Sequence, residues 1–311
     1  MPLRARLAAL VFAVVCGPAL ADVIGYGEAF DTLYRIDLTT RTATEIGRAT
    51  PPGAPRIANI EGLTVSPDGK LYAVSDADAV KTLLTIDPAT GLATPVGVLN
   101  LSGGNVNRQL DLALAFTCDG RLWMSSGPGM FWQLDPVKAT AIYLGNLGVK
   151  VTGLTALGNV LYGAGSQGDN HLYRIDPATA TASAIGAYGS GAPAITTTSP
   201  AFDDAGRLWA VLDYVPPPNG STQVAEWSDL AQILADSGEL TDLGPITASG
   251  SSVNDLAFIG LKGLAIPPGT CNARRPGVDP GPALSWPGLL GLIGLVALVA
   301  GTHLPRRRPI S

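Results

Sequence analysis

Histidine is almost missing from this chain: 311 residues contain two. Only His171 lies between the apolar segments at the two ends. Catalysis usually needs a positioned base. His171 stands beside Gly168-Asp169-Asn170 and just before an expected strand, so it reads as a loop residue. No Gly-x-Ser-x-Gly elbow, Walker A loop or Cys-x-x-Cys pair occurs, so the sequence identifies no reaction and no catalytic residue. Charged residues make up only 14% of the chain and aromatic residues 6%. Long uncharged apolar runs are absent except at the ends. Abundant glycine, 38 residues, together with recurring short β-like runs, points to an all-β domain.

The ends carry export chemistry. Arg4 and Arg6 precede an apolar stretch from Leu7 to Val15, and Ala19-Leu20-Ala21 is a small-x-small cleavage site. Residues 1–21 therefore read as a cleavable signal peptide. Cys16 follows Val15 rather than a small residue, so it is not a lipidation site. Leu284 to Leu304 is a run of 21 residues without formal charge. A helix of that length spans the bilayer core, and Arg306, Arg307 and Arg308 would stay on the cytoplasmic side. The two ends predict one topology: domain on the periplasmic side of the inner membrane, anchor at the C-terminus. Thr270 to Pro282 is a Pro/Gly-rich stretch; residues 269–283 read as the linker.

Removing Arg4, Arg6 and Arg306 to Arg308 leaves 15 basic residues against 25 acidic ones, about −10 for the mature domain. That balance argues against nucleic acid or anionic lipid as partners. Cys118, in an expected turn, and Cys271, past the last repeat, form either a disulfide or two separate thiols; export permits the bond.

Between the ends the chain repeats. Leu33-Tyr34-Arg35-Ile36-Asp37 leads to Glu45-Ile46-Gly47, Leu83-Leu84-Thr85-Ile86-Asp87 to Pro95-Val96-Gly97, and Phe131-Trp132-Gln133-Leu134-Asp135 to Tyr143-Leu144-Gly145. Leu172-Tyr173-Arg174-Ile175-Asp176 leads to Ala184-Ile185-Gly186, and a degraded copy, Leu230 to Leu234, ends at Gly244. Apolar and polar residues alternate as in half-buried strands, and Asp-Pro-x-Thr-Gly is turn chemistry. A second hairpin precedes most copies, as in Leu63-Thr64-Val65 turning at Ser66 to Gly69 into Leu71-Tyr72-Ala73. Four strands every 41 to 50 residues is the period of a propeller blade. The expectation is a β-propeller over residues 22–268. It has five four-stranded blades, or six if residues 212–250 hold another unit. Val253 to Phe258 closes the ring by pairing into the first blade.

Two resemblances follow. Pro282-Ala283-Leu284-Ser285-Trp286-Pro287-Gly288, the apolar span and Arg306 to Arg308 resemble the IPTL-CTERM class of bacterial sorting tails, relatives of PEP-CTERM signals. Here Trp286 comes one place early, and Pro287 separates it from Gly288. The resemblance implies a Gram-negative source, a processing membrane protease as partner, and transfer towards the outer surface. The Leu-Tyr-x-Ile-Asp-Pro-x-Thr-Gly-x-Ala-Thr-x-Ile-Gly repeat resembles those of exported bacterial propellers. This resemblance bears on fold rather than activity.

Aligning the first strands of the blades yields a column of Glu61, Asp111, Thr152, Ser199 and Asp255, with Asn254 and Asn59 close by. Innermost strands line the channel, so these side chains would ring one mouth of it. Carboxylate, amide and hydroxyl oxygens suit Ca²⁺; equally, acids at strand starts satisfy free backbone N–H groups. Glu61, Asp111, Asp255 and Asn254 are the candidate metal residues. The set resembles that of exported propellers with lactonase activity, which implies a Ca²⁺-dependent hydrolase. The leading expectation is a non-enzymatic envelope scaffold, monomeric in its soluble domain, that binds a surface protein or glycan. The acidic segments Asp76-Ala77-Asp78 and Gly168-Asp169-Asn170 read as solvated turns, and Val215 to Gly220 as an inserted loop.

Overall fold

The computed structural model describes residues 23–57, 59–77, 80–166, 168–189, 195–214, 228–249, 260–269 and 271. Blade 1 contains β1 (Ile24–Ala29), β2 (Thr32–Asp37) and β3 (Thr42–Arg48). Blade 2 is β4 (Ile60–Val65), β5 (Leu71–Ala77), β6 (Val80–Ile86) and β7 (Ala93–Leu99). Blade 3 is β8 (Leu112–Phe116), β9 (Leu122–Ser126), β10 (Met130–Asp135) and β11 (Thr140–Asn146). Blade 4 is β12 (Gly153–Leu157), β13 (Val160–Ala164), β14 (His171–Asp176) and β15 (Thr181–Ala187). Blade 5 is β16 (Ile195–Phe202), β17 (Leu208–Tyr214), β18 (Ser228–Ile233) and β19 (Leu240–Pro245). Two late strands, β20 (Thr247–Ser249) and β21 (Lys262–Ala265), return to blade 1. The fold is an all-β five-bladed propeller; among the described residues no sixth sheet forms.

Ring closure differs from the sequence expectation. β1 has β2 on one side and β21 on the other, with Tyr26 opposite Ala265 and Gly27 opposite Leu264. Both edges of β1 are therefore occupied by β2 and β21; residues 253–258, the expected closing strand, lie outside the described residues. Gly263 adopts a left-handed backbone, φ 82°, as Gly62 does at the matching place in β4, φ 64°. The outer edge of β3 is covered by β20 in parallel, Thr247 opposite Thr42. That addition is absent from the repeat pattern.

The alternating strands bury their apolar faces in five seams, one between each pair of neighbouring blades. Ile36 and Leu264 of blade 1 pack with Trp209 and Val211 of blade 5, so the ring closes through a full hydrophobic seam. Trp123 and Phe131 of blade 3 meet Leu154 and Leu161 of blade 4.

The repeated Asp-turn and the repeated terminal Gly turn out to be one device. Asp87 Oδ1 accepts the Ala89 N–H at 2.9 Å, and Asp135 Oδ1 accepts the Val137 and Lys138 amides at 2.9 and 3.0 Å. The Ala89 and Lys138 amides, respectively, are foremost in holding the two carboxyls below the usual range. The turn ends in a left-handed residue, Gly91 (φ 77°), Ala139 (53°) or Ala180 (51°). That residue fits against the glycine ending the previous blade's outer strand. A side chain on Gly47 would overlap the Thr90 carbonyl, and one on Gly91 the Gly47 carbonyl. Gly97 faces Ala139, Gly145 faces Ala180, Gly186 faces Gly238, and Gly244 faces Arg41. The last contact joins blade 5 to blade 1.

Past β21 the chain runs beside Val65 at Gly269 and reaches blade 3, where Cys271 is disulfide-bonded to Cys118, Cα to Cα 5.1 Å. The two cysteines stand 153 positions apart in the sequence. The bond fastens the chain beyond β21 to the strand-connecting turn of blade 3.

Candidate functional site at the channel mouth

Four of the five aligned positions meet around the channel. Glu61, Asp111, Thr152 and Ser199 line one cavity, and Lys262 completes the ring. Asp255 and Asn254 lie outside the described residues, and the fifth column position belongs to Lys262. The recurring Gly-Leu step would have revealed this: Lys262-Gly263-Leu264 repeats Glu61-Gly62-Leu63 and Thr152-Gly153-Leu154.

Most of these side chains reach to the next blade. Glu61 Oε2 accepts the Leu112 N–H at 2.8 Å, Thr152 Oγ1 accepts the Thr198 N–H at 3.2 Å, and Ser199 Oγ accepts the Gly263 N–H at 2.9 Å. Lys262 Nζ donates to Glu61 Oε1 at 3.0 Å and stands 4.0 Å from Asp111 Oδ1. Burial pushes the Glu61 carboxyl up to about 7, against the opposing pull of Lys262. Burial pulls the Lys262 ammonium down, but Glu61, Asp111 and Asp213 outweigh it, and its pKa ends above the usual lysine value. The cavity inside the ring measures about 20 Å³, enough for about one ordered water.

Both Glu61 oxygens are thus engaged, one by an amide and one by an ammonium. A dication placed there meets a fixed positive charge, so this donor set does not suit Ca²⁺. Among the described residues no cluster of three or more His, Cys, Asp or Glu side chains is arranged to hold a metal.

Two further acids lie beneath the mouth. Asp76, read from sequence as part of a solvated turn, is fully buried in β5. Its Oδ1 lies 2.7 Å from Lys81 Nζ and its Oδ2 accepts the Leu110 N–H at 2.6 Å. Lys81 also donates to the Arg108 and Ala77 carbonyls at 2.7 and 3.1 Å. The acid at β5 and its lysine five residues on pair across a tight hairpin, so the carboxylate is compensated rather than solvated.

Glu28 is the second. It is 1% exposed, and its Oε2 has no hydrogen-bond partner among the described residues. It pairs with Leu33; the blades that pair Val74 with Leu83, Ser125 with Phe131, Ala164 with Leu172 and Val211 with Leu230 carry small or apolar residues there. Burial pushes its carboxyl well above the ordinary range. Sequence reading missed it because Gly27-Glu28-Ala29 carries no turn or motif signal.

His171 is the first residue of β14 rather than a loop residue. Its Nδ1 lies 3.1 Å from Asp169 Oδ1, which also accepts the Tyr173 hydroxyl at 2.5 Å. Burial, then that bond, pushes the Tyr173 phenol up. Among the described residues no hydroxyl or thiol is hydrogen-bonded to His171, so this cluster presents no nucleophile. The residues expected to form a sorting signal, Pro282, Leu284, Ser285, Trp286, Gly288 and Arg306 to Arg308, lie outside the described residues. Among those that are described, no helix is long and apolar enough to cross a membrane.

No family model and no curated protein matches the chain. Solved structures do. TolB from Acinetobacter baumannii is 15% identical, with TM-score 0.45, over 79% of this chain and 66% of its own. A putative gluconolactonase is 17% identical, with TM-score 0.43, over 73% of this chain and 79% of its own. A chain of a nidogen/laminin complex is 12% identical, with TM-score 0.46, over 81% of this chain and all of its own. These likenesses concern the fold alone.

Proposed function

We propose that the chain is an exported envelope protein whose propeller acts as a scaffold for binding a surface protein or glycan. In this reading it performs no reaction of its own. The observation that supports it is Lys262. A Ca²⁺-dependent hydrolase of the lactonase or esterase type needs carboxylate oxygens free for the metal. Here a lysine from the closing strand sits 3.0 Å from Glu61 and 4.0 Å from Asp111. The ring then works as a polar joint between blades. The same reading places residues 1–21 as signal peptide, 284–304 as a membrane-spanning helix, and the tail from Pro282 to Arg308 as a sorting signal for a membrane protease.

The test is a thermal melt of the purified full chain in EDTA and then in millimolar Ca²⁺, with lactone and ester hydrolysis followed alongside. A ligand at about 100 times its Kd adds about 2.7 kcal/mol. The expected result is an unchanged midpoint and no calcium-dependent turnover. A rise that Asp111→Ala abolishes, accompanied by calcium-dependent turnover, would establish the hydrolase instead.

A further inference from the structure

A groove of about 550 Å³ opens on the outer side of the seam between blades 1 and 2, within the ordinary range for a small-molecule site of roughly 300–1,000 Å³. Its position follows from the repeat. The Gly47 notch receives the blade 2 turn, which brings Thr90 and Leu92 beside Arg48 at the end of β3. The segment after β3 then folds back: Ile57 N–H donates to Thr50 Oγ1 at 2.7 Å and Ala54 N–H to the Pro51 carbonyl at 3.1 Å. Pro51 and Pro52 form a stiff apolar wall, because each ring fixes its φ.

Two guanidinium groups face this groove and one of them is built in. Arg56 Nε donates to Asp31 Oδ2 at 2.9 Å; the Asp31 side chain is 6% exposed while Arg56 is 62% exposed. The buried carboxylate thus holds the arginine by one edge and leaves its terminal Nη donors as a fork towards solvent. Arg48, exposed on the opposite side, has no acidic partner among the described residues. The groove therefore has two cations against one already committed carboxylate, on a domain that is acidic overall.

We propose that this groove binds a hexuronate unit of an acidic saccharide. The sugar carboxylate would sit on the Arg56 fork, within reach of Arg48. The C–H face of the ring would lie on Pro51, Pro52 and Leu92. Ring hydroxyls would meet Thr50, whose Oγ1 already accepts an amide and so keeps its own proton to donate. Apolar lining beside a guanidinium pair fits a ring that carries a carboxylate better than a bare anion, which would leave the proline wall uncovered. This site is separate from the channel mouth. It deepens the scaffold reading and rests on it only in requiring that the chain bind without reacting.

The experiment is calorimetric titration of the purified full chain with trigalacturonate. Galactotriose, inorganic phosphate and a short peptide with a free C-terminal carboxylate serve as comparison probes. The expected result is saturable trigalacturonate binding that weakens with salt and falls about tenfold or more in Arg48→Gln and Arg56→Gln, with no binding of galactotriose. Arg48→Gln removes no hydrogen bond of the fold, so an unchanged melting midpoint separates lost binding from lost structure. No binding, binding undiminished from the unmodified chain in either variant, or equal or tighter binding of phosphate or the peptide overturns the proposal. The length of the recovered oligomer reads the scaffold claim independently. Shortening would sink binding without reaction and leave the site itself standing.

Discussion

At the outer rim the five blades join their neighbours in one way, a glycine against a left-handed turn residue or, at Gly244, the Arg41 side chain. Around the channel four of the five blades do the same job with different side chains: Glu61, Thr152, Ser199 and the Lys262 ammonium. The rim has room for little variation, because the strand-ending glycine lies so close to the next blade's turn that it cannot carry a side chain. The channel has room for any group that can bridge to the next blade. Sequence is uniform where backbone meets backbone and free to vary where side chains reach across. Chemistry specific to this protein is therefore to be sought at the varied positions.

The largest expected effect comes from breaking the uniform ring. A side chain on Gly186 would overlap the Ser237 carbonyl, which belongs to the next blade and cannot move without it. Gly186→Val should cost about 4 kcal/mol, at the severe end for overpacking, and lower the melting midpoint accordingly. A loss under about 1 kcal/mol, in the range of ordinary surface changes, would mean the rim contact is loose and the contrast with the channel false.

A smaller effect is expected in the varied ring. Lys262→Met strips the ammonium from a Glu61 carboxyl that remains buried. Removing one partner of a buried pair costs about 3–5 kcal/mol. The low end is expected, because Glu61, already raised to about 7, can take up a proton. The variant should therefore lose about 3 kcal/mol at pH 8 and less at pH 5, read by denaturant unfolding at both. Equal losses at both values would show that the lysine acts by packing and not by charge.

What the sequence disclosed follows the same division. The Asp-turns, the terminal glycines and the alternating strands recur, and they disclosed the hairpins and a ring of five blades, with six left open. The closing strand was misplaced because Asn254-Asp255-Leu256-Ala257-Phe258 copies the apolar run of Asp111-Leu112-Ala113-Leu114-Ala115-Phe116. The strand that closes the ring is four residues long and opens with a lysine where other blades carry acid or hydroxyl. The carboxylate column was legible as a column, but not its occupant, since nothing in a repeat announces the one blade that departs from it. Asp76 looked like a turn residue, and its partner Lys81 went unread, because hairpin ends usually are solvated. Only the packing of blade 3, whose Leu110 amide is bonded to Asp76, covers them.

Glu28 supplies the finest test, because it breaks the column it belongs to: its counterparts in the other four blades are Val74, Ser125, Ala164 and Val211. Burial raises its folded pKa well above 4.5. The unfolded chain gives up this proton near the ordinary value while the folded chain keeps it. The folded state then binds more protons, and stability falls as pH rises above 4.5 towards the folded pKa. One group can contribute at most about 1.4 kcal/mol per pH unit to this slope. Glu61 carries the same sign, so the Glu28 variant, rather than a pH interval, separates the two contributions. Glu28→Gln should leave stability at pH 4 nearly unchanged and flatten its decline as pH rises above 4.5, measured by urea unfolding. An equally steep decline in the variant would assign the slope to another group. A steeper one would mean that the charged Glu28 carboxylate is stabilised in the fold, although every other blade carries an uncharged residue at that place.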